Sequence, residues 1–190
     1  MPTIMTHAVV GLGLGRLFTR RRMPARFWQL AALLPILPDL DVLAFRLGIP
    51  YDAVLGHRGL SHSLAFALVA GLAAAVLTYR QLGLRLWDWW GFLFLLIASH
   101  GLLDAFTNGG YGVAFFAPFD ATRYFFPWTP IEVSPLGMSF FSAHGLATLW
   151  SELRWVWLPT AAVVLAVEGV RKAGDLIGKR GSRPREPSGA

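Results

Sequence analysis

Two long apolar segments with very few charges, 62–79 and 87–106, constrain this chain more than any other feature. A helix needs about 20 predominantly apolar residues to cross a bilayer, and both segments approach or reach that length. Charged residues make up only 15% of the sequence, whereas a soluble domain carries about 25%. The sequence therefore predicts an all-α, polytopic membrane protein.

Further apolar segments extend this prediction to a bundle of about four to five helices. They cover residues 5–18, 27–37 and 146–170. The first two are short, so we expect them to be tilted, half-buried or packed inside the bundle. The last contains Glu152, Arg154 and Pro159, which leaves 155–170 as its effective apolar part.

The glycines of "GLGLG", residues 11–15, lie inside an apolar segment rather than after a strand. A nucleotide-binding loop is therefore not expected here. Gly11 and Gly15 are four residues apart, a spacing that lets two membrane helices approach closely.

Two segments differ in composition from the apolar ones. Residues 107–145 are rich in Gly, Pro and aromatic side chains, and predict a long ordered loop or short interfacial helices on the membrane surface. Residues 178–190 are polar and basic and predict a disordered tail. The membrane-embedded domain is therefore expected to cover residues 1–177.

The basic residues predict the orientation of the bundle. Of the 17 basic residues, 13 fall between or after the apolar segments in three groups: Arg16, Arg20, Arg21, Arg22 and Arg26; Arg80 and Arg85; and Arg171, Lys172, Lys179, Arg180, Arg183 and Arg185. One alternating topology puts all three groups on one side, and the positive-inside rule makes that side cytoplasmic. The C-terminus is then cytoplasmic, and 38–61 and 107–145 lie outside. This distribution explains the net charge of +6 without nucleic-acid binding, and no cleavable signal peptide is predicted.

Histidines and aspartates collect at the predicted outer side. They are His7, Asp39, Asp41, His57, His62, His100 and Asp104. His100 and Asp104 are four residues apart and share one helix face. The chain has no cysteine, so any metal site must use imidazole and carboxylate ligands. Because charged groups at membrane depth are costly unless paired or metal-bound, the set predicts a metal site.

Some of these residues have simpler interpretations. Ser61 is a candidate N-cap with His62 in the first helical turn, and Arg58 could pair with Asp39 or Asp41. His144 has no partner three or four residues away, and we interpret it as an interfacial side chain rather than a ligand.

Four motifs resemble a known family. "TH" at 6–7, "LPDLD" at 37–41, "HRGLSHS" at 57–63 and "HGLLD" at 100–104 together resemble the bacterial LexA-binding, inner-membrane-associated metal-dependent hydrolases. The order and rough spacing agree from residue 1 to about 145. The resemblance implies a multi-pass protein of the bacterial inner membrane.

The order of these residues is also similar to that of the zinc-dependent phospholipase C and single-strand nuclease superfamily. That resemblance implies His7, Asp39, His57, His100 and Asp104 as metal ligands, with zinc as the expected metal. The superfamily has a further His-x-x-x-Glu/Asp motif downstream, whereas His144 here is followed by Thr148. One or two ions are therefore expected instead of three.

The function predicted from these residues is metal-dependent hydrolysis of a phosphoester in a lipid or amphiphile. His57 would hold the metal, and His62 or Asp41 would act as general base, with His62 preferred. Arg58 and Arg123 could clamp phosphate, although Arg123 could equally pair with Asp120.

Two other functions remain open. A non-catalytic metal-binding or ion-translocating protein would need polar groups across the bilayer, and the cytoplasmic halves of the third and fifth segments offer few, Thr78 and Glu168. The family's name also implies an interaction with a cytosolic regulator, for which the basic tail is the candidate region.

Overall fold

The computed structural model describes residues 1–135 and 137–181, without the side chains of Phe45 and of 178–181. Its α-helices are α1 (Ile4–Phe18), α2 (Ala25–Leu33), α3 (Leu43–Arg46), α4 (Leu64–Leu82), α5 (Leu86–Ala105), α6 (Ala143–Glu152) and α7 (Leu158–Gly181). Short 3₁₀ segments cover Leu34–Val42, Leu60–His62 and Gly137–Phe141, and a π-helical turn at Leu153–Trp157 joins α6 to α7. Apart from two isolated β-bridges, the described residues form no β-structure, which confirms the all-α prediction.

Three helical stretches are long and apolar enough to cross a membrane: Leu64–Leu82, Leu86–Ala105 and Ala143–Ile177. Helix α1 is apolar but shorter. Large apolar side chains such as Val69, Leu77 and Leu165 are exposed on these helices, each at 71%. Such outward-facing surfaces would be unfavourable in water and suit hydrocarbon, so the bundle of apolar helices predicted from sequence is confirmed.

Helices α4 and α5 form an antiparallel hairpin closed by Gly83. Gly83 ends α4 in the left-handed conformation, with φ of 63°, which glycine adopts without a steric cost. Near this turn, the indole of Trp89 in α5 donates a hydrogen bond to the hydroxyl of Thr78 in α4 at 2.8 Å. Trp89 packs with Phe27, Phe92 and other buried apolar residues in the half of the bundle near this turn.

Helix α1 packs closely against its neighbours through small residues. A Cβ added to Gly11 would overlap the backbone carbonyl of Ala31 in α2, and one added to Gly15 would contact Ala31 and Trp28. Gly13 faces Thr160 of α7. The prediction that Gly11 and Gly15 serve close helix packing is confirmed.

The last helical stretch is longer than predicted. It begins at Ala143, continues through the π-helical turn, and runs to Gly181, four residues past the predicted end of the domain at 177. Glu152 does not end it because its carboxylate is buried and hydrogen-bonded. Pro159 lacks a backbone N–H and therefore cannot donate the usual helical hydrogen bond. It does not break the helix because the wider π-helical turn, which ends at Trp157, accommodates this position. Residues 182–190 of the predicted tail lie outside the described residues.

Two of the predicted cytoplasmic basic groups meet at one end of the bundle. The Arg171 guanidinium donates to the carbonyls of Arg16 and Leu17 at the end of α1, at 3.1 and 2.6 Å. Glu168 accepts hydrogen bonds from both Arg16 and Arg171. This network caps α1 and joins it to α7, opposite the end that carries the histidines.

Of the two predicted alternatives for the segment between α5 and α6, the described residues form mainly an ordered loop, together with the short 3₁₀ turn Gly137–Phe141. The amide of Phe126 donates to the carbonyl of Ala105 at 2.9 Å, and Val113 and Tyr124 exchange two backbone hydrogen bonds. Phe126 stacks on Phe106, with ring centroids 4.2 Å apart. The loop therefore folds over the end of α5 and covers the histidine-rich end of the bundle.

Candidate metal centre

Five of the predicted site residues converge in one buried cluster. His7 comes from α1, Asp39 from the 3₁₀ segment after α2, His62 from the turn before α4, and His100 and Asp104 from the last turns of α5. Four of them are 0–4% exposed and Asp39 is 6% exposed. The structure therefore brings together side chains that are spread over about 100 residues of sequence.

The 3₁₀ segment Leu34–Val42 determines where the two aspartates point. Pro35 lies at its beginning and Pro38 within it. The side chain of Asp39 is buried, whereas the following residue, Leu40, is 58% exposed. Asp41 faces His57 and His62 rather than the centre of the cluster. The two carboxylates of the "PDLD" motif therefore occupy different positions.

The loop before α4 has a strained backbone at Arg58, where φ is +61° although the residue is not glycine. Its flanking residues Gly56 and Gly59 lie so close to neighbouring carbonyls that a Cβ would overlap them. Such conformations typically cost of order 1–3 kcal/mol and persist only where the surroundings enforce them. Here the loop holds His57 and the 3₁₀ turn carrying His62 against the cluster.

The helix cap is not the one predicted. Ser63, rather than Ser61, caps α4 by accepting a hydrogen bond from the amide of Phe66 at 3.0 Å. The Ser61 hydroxyl lies 2.5 Å from Oδ2 of Asp41 and 3.0 Å from Nδ1 of His62. Ser61 is thus a polar link inside the site, a role that the sequence pattern alone did not indicate.

Hydrogen bonding determines which ring nitrogens carry protons. Nδ1 of His100 lies 2.7 Å from the carbonyl of Pro35, which can only accept, so Nδ1 is the donor. The Asp41 carboxylate likewise accepts from the Ser61 hydroxyl, whose oxygen then accepts from Nδ1 of His62. In their neutral forms both imidazoles therefore direct an Nε2 lone pair into the cluster.

The Nε2 atoms of His62 and His100 lie close to the carboxylates of Asp39 and Asp104. Nε2 of His62 lies 2.9 Å from Nε2 of His100 and 3.4 Å from Oδ2 of Asp104. Oδ1 of Asp39 is 3.3 Å from Nε2 of His100 and 3.8 Å from Nε2 of His62. Zinc bound tetrahedrally at about 2.0–2.1 Å separates neighbouring ligand atoms by about 3.4 Å. The ligand atoms of His62, His100 and Asp104 lie within 4.8 Å of one another and could hold one cation, and Asp39 belongs to an adjacent group with His7 and His100.

The buried polar atoms of the cluster would also be suited to bind a cation. Both oxygens of Asp39 and of Asp104, and both ring nitrogens of His7, are buried without a hydrogen-bond partner. Burying polar atoms in this way is costly unless another group satisfies them. Asp39, Asp41 and Asp104 carry three negative charges, whereas Arg58 and the buried N-terminal amino group of Met1 are the positive groups that act on Asp104. The gathered carboxylates and imidazoles are the ligand types that would favour a bound cation.

Two titratable groups at the cluster, His62 and Asp41, have shifted pKa values. Burial alone would lower the pKa of His62, but the adjacent carboxylates of Asp104 and Asp41 outweigh burial and raise the pKa to about 9. For Asp41, burial would raise the pKa, and hydrogen bonds from His57 and His62 instead hold it below its usual range. At neutral pH the ionised Asp41 is therefore an acceptor for its neighbours and a weak base.

His7 and His57 flank the four converging ligand atoms. The His7 ring stacks on His100 with centroids 3.9 Å apart, and its Nε2 lies 3.9 Å from Oδ1 of Asp104. Nδ1 of His57 lies 2.6 Å from Oδ1 of Asp41. His57, His62 and Asp39 form a further group whose ligand atoms lie within 4.8 Å of one another. All five residues of the predicted ligand set therefore lie at the cluster.

Arg58 is a buried part of the site rather than an accessible one. Its side chain is 0% exposed, with Nε 3.0 Å from Oδ2 of Asp104. The two terminal nitrogens donate to the carbonyls of Gly109 and Tyr111 and to the Thr107 hydroxyl, each at 3.0 Å. The predicted pairing with Asp39 or Asp41 is replaced by the contact with Asp104. The structure does not support the predicted phosphate clamp because the guanidinium is occupied and enclosed.

Arg123 also binds the protein itself. Its guanidinium donates to the carbonyls of Tyr51 and His57 at 3.0 Å, and further to those of Ala53 and Gly112. The alternative pairing with Asp120 is not formed, and the Asp120 carboxylate accepts from the amide of Thr122. Arg123 ties the loop after α5 to the loop that carries His57, so the structure gives no support for phosphate binding here either.

Outside this cluster, His144 and Glu152 differ in their exposure to solvent. His144 is exposed near the start of α6, in agreement with its interpretation as an interfacial side chain. Glu152 is 0% exposed and accepts hydrogen bonds from the Thr3 amide and from the hydroxyls of Thr3 and Thr6. It anchors the first turn of α1 directly before His7. Its position inside an apolar segment was the available signal, because such residues are rarely without a role.

The comparisons with known proteins agree with a membrane location. The chain is 41% identical over 160 residues to inner membrane protein YbcI of Escherichia coli (strain K12), covering 84% of this chain and 92% of that protein. A family model described as YdjM inner membrane protein matches residues 1–174, which include every residue of the cluster. No solved structure matches. Neither description contains a metal, a hydrolase activity or LexA binding, so these stay predictions. The chain belongs to the YdjM inner membrane protein family.

Proposed function

We propose that the chain is a metal-dependent hydrolase of the inner membrane that cleaves a phosphoester in a lipid or another amphiphile. The observation that carries this proposal is the convergence of the Nε2 atoms of His62 and His100 with the carboxylates of Asp39 and Asp104. A divalent metal held there supplies a bound water with a pKa near 7 and polarises the phosphoryl oxygen.

His62, His100, Asp39 and Asp104 would hold the metal, with His7 beside them. Neutral imidazole and carboxylate are zinc ligands where thiolate is absent. Asp104 is oriented by Arg58, and His100 by the carbonyl of Pro35. Metal ligands typically need such supporting contacts. The separate position of His7 is compatible with either one or two ions.

The geometry favours His57, rather than His62, as the residue that moves a proton. Asp41 accepts the Nδ1–H of His57 at 2.6 Å, which fixes the tautomer with its ring lone pair on Nε2. His57 and Asp41 have side-chain exposures of 7% and 8%, whereas that of His62 is 0%. The carboxylate would thus orient the base without taking up the proton itself.

Non-catalytic metal binding is the alternative that the same cluster allows, and hydrolysis distinguishes the two. Ion translocation is less well supported. Directly below His100 on α5, the apolar residues Leu93, Leu96 and Ile97 are 0–2% exposed and fill the space towards the other end of the bundle. A transported ion would have to cross this apolar layer.

We also propose that the cluster faces the outside of the inner membrane and that the C-terminus is cytoplasmic. The meeting of Arg16 and Arg171 at the opposite end of the bundle supports this orientation through the positive-inside rule. A reporter fused after Lys172 should then report cytoplasm, and one inserted near Gly110 should report the outside. The reverse pattern would overturn the orientation. Binding of a cytosolic regulator through the basic tail remains a proposal that concerns residues mostly outside the described ranges.

The proposed function is tested by metal analysis of purified protein followed by a screen of phosphoesters. We expect close to one or two equivalents of divalent metal, and hydrolysis that is lost with a chelator and restored by zinc. His144→Ala is the matched control because it removes an imidazole outside the cluster. Metal binding without hydrolysis of any phosphoester would favour the non-catalytic alternative, and absence of metal would reject both.

A further inference from the structure

A groove of 390 Å³ opens beside the metal centre. Its walls are apolar and consist of Leu37, Pro38, Leu40, Leu55, Leu60 and Phe66. Asp41 and Ser61 are the polar residues at its lining. The groove therefore has an apolar body and one polar edge, and its volume lies in the range of ligand-binding sites.

The polar edge belongs to the candidate site. Oδ2 of Asp41 accepts the Ser61 hydroxyl, and Oδ1 contacts His57, the residue favoured as proton acceptor. The innermost ligands, His62 and His100, are at most 4% exposed. The groove thus leads to the side of the cluster where Asp41 and His57 retain some exposure.

The apolar body lies at the end of a membrane-spanning helix. Phe66 is in the first turn of α4, and Leu40 and Leu55 are 58% and 61% exposed at the groove. Apolar side chains this exposed are unfavourable towards water and favourable towards hydrocarbon. The groove is therefore suited to open towards the acyl region of the bilayer rather than towards a purely aqueous space.

We propose that this groove binds the hydrocarbon chain of a membrane amphiphile and presents its phosphoester to the Asp41–His57 edge. The statement about the phosphoester rests on the proposed function, whereas chain binding is a property of the groove alone. The substrate class is then a phosphoester attached close to a hydrocarbon chain, in contrast to a water-soluble phosphoester. The groove would provide binding energy for the apolar part, and the polar edge would fix the position of the head group.

The test uses hexadecyl phosphate carrying a photoreactive diazirine in its chain, in vesicles of phosphatidylethanolamine and phosphatidylglycerol that contain the full chain. Labelled residues are identified by mass spectrometry after irradiation. We expect labelling at Leu40, Leu55 and Phe66 to exceed labelling at Val69 and Leu77, which lie on the exposed face of α4. Excess unlabelled hexadecyl phosphate should suppress the groove signal, and phenyl phosphate should not.

A matched pair of variants tests whether the groove itself is responsible. Leu55→Trp places a large side chain at the groove and should lower groove labelling at least severalfold. Leu77→Trp adds the same side chain at an exposed position of α4 and should leave it unchanged. Equal labelling of groove and α4 face, or a signal that hexadecyl phosphate does not suppress, would overturn the proposal because ordinary bilayer contact would explain it.

Failure of this inference and failure of the proposed function give different results. His62→Ala should lose metal yet retain groove labelling if the groove binds the chain. Specific labelling in a protein that hydrolyses no phosphoester would reject the proposed function and keep chain binding. Metal-dependent hydrolysis of phenyl phosphate with no groove-specific labelling would keep the hydrolase and reject the groove.

Discussion

Nε2 of His62 lies 2.9 Å from Nε2 of His100, while each ring's Nδ1 is engaged elsewhere, with Ser61 and with the carbonyl of Pro35. Two imidazole lone pairs at this distance repel each other unless a cation lies between or beside them. Because the pKa of His62 is raised to about 9, a proton on His62 at neutral pH reduces this repulsion, and a divalent metal bound by both rings would do the same. For the proposed hydrolase, this relationship favours His62 as a metal ligand and His57 as the residue that transfers a proton.

The first prediction separates these two roles. His62→Ala should lose most of its bound metal because it removes one of the four converging ligand atoms. His57→Ala should keep its metal and lose phosphoester hydrolysis by about a hundredfold or more, the usual contribution of a general base. Metal content by elemental analysis and hydrolysis rate are measured on the same preparations.

His144→Ala is the control for this pair, since it lies in α6 away from the cluster and should change neither quantity. The opposite result, with metal lost in His57→Ala and retained in His62→Ala, would restore the roles predicted from sequence alone. Loss of metal in both variants would make His57 a ligand as well, and the group Asp39, His57 and His62 would then be a metal site.

The second prediction concerns the pH dependence of stability in the metal-free protein. The pKa of His62 is raised from 6.5 to about 9 on folding. Its contribution to stability is therefore fully present below pH 6.5 and is lost as the pH rises through about 9, with a magnitude on the order of 3 kcal/mol. Thermal unfolding in chelator should show a lower midpoint at pH 9.5 than at pH 6.5.

His62→Gln provides the comparison for the pH experiment because the amide cannot titrate. Its overall stability is expected to be lower, but the fall between pH 6.5 and 9.5 should be smaller than in the unmodified protein. A fall of the same size in both proteins would assign the effect to other groups and would contradict the raised pKa of His62.

The helices were the most predictable part of the structure. The segments predicted at 5–18, 62–79 and 87–106 correspond to α1, α4 and α5, because in a bilayer an apolar segment must satisfy its backbone N–H and C=O groups internally, as a helix does. The extent of the last helix was less predictable. Glu152 and Pro159 each suggest an interruption when considered alone, and a tertiary hydrogen bond and a π-helical turn accommodate them.

The gathering of these histidines and aspartates at one end of the bundle was also predictable from sequence, but their individual contacts were not. His100 and Asp104 share a face through helical periodicity, which spacing alone predicts. The roles of His57 and His62 depend on which ring nitrogen is engaged. That choice is made by Ser61 and by Asp41, whose orientation follows from a 3₁₀ segment and an irregular loop. Local sequence patterns do not determine such tertiary contacts.

The third prediction concerns the buried guanidinium of Arg58. Arg58→Gln removes the guanidinium that contacts Asp104 and removes the hydrogen bonds that Arg58 donates to Gly109, Tyr111 and Thr107. Breaking a buried ion pair typically costs about 3–5 kcal/mol, so the midpoint of thermal unfolding should fall clearly. Arg46→Gln, at an exposed position, is the control and should have little effect. An unchanged midpoint in Arg58→Gln would show that Asp104 does not depend on this partner.

The fourth prediction concerns Glu152, which joins α6 to the beginning of α1. Glu152→Gln retains one acceptor oxygen but replaces the other with an NH₂ donor, so the contacts with the Thr3 amide and both hydroxyls cannot all be kept. We expect a loss of about 1–3 kcal/mol of stability and weaker metal binding, because His7 follows Thr6 directly. Asp88→Asn, an exposed carboxylate on α5, should alter neither. Normal metal affinity in Glu152→Gln would limit Glu152 to a purely structural role.

The last prediction tests the close contact between α1 and α2. Gly11→Ala adds a Cβ that would overlap the carbonyl of Ala31, so the two helices must separate or tilt. Overpacking of this kind typically costs about 1–3 kcal/mol. Because α1 carries His7 one turn before Gly11, the change should also weaken metal binding.

Gly91→Ala is a matched control within α5, since nothing lies within 4 Å of the added methyl group. It should be neutral or stabilising by up to about 1 kcal/mol, the helix propensity gained over glycine. Unfolding midpoints and metal content measured on both variants decide the matter, and equal values for the two would contradict the close packing of α1 on α2.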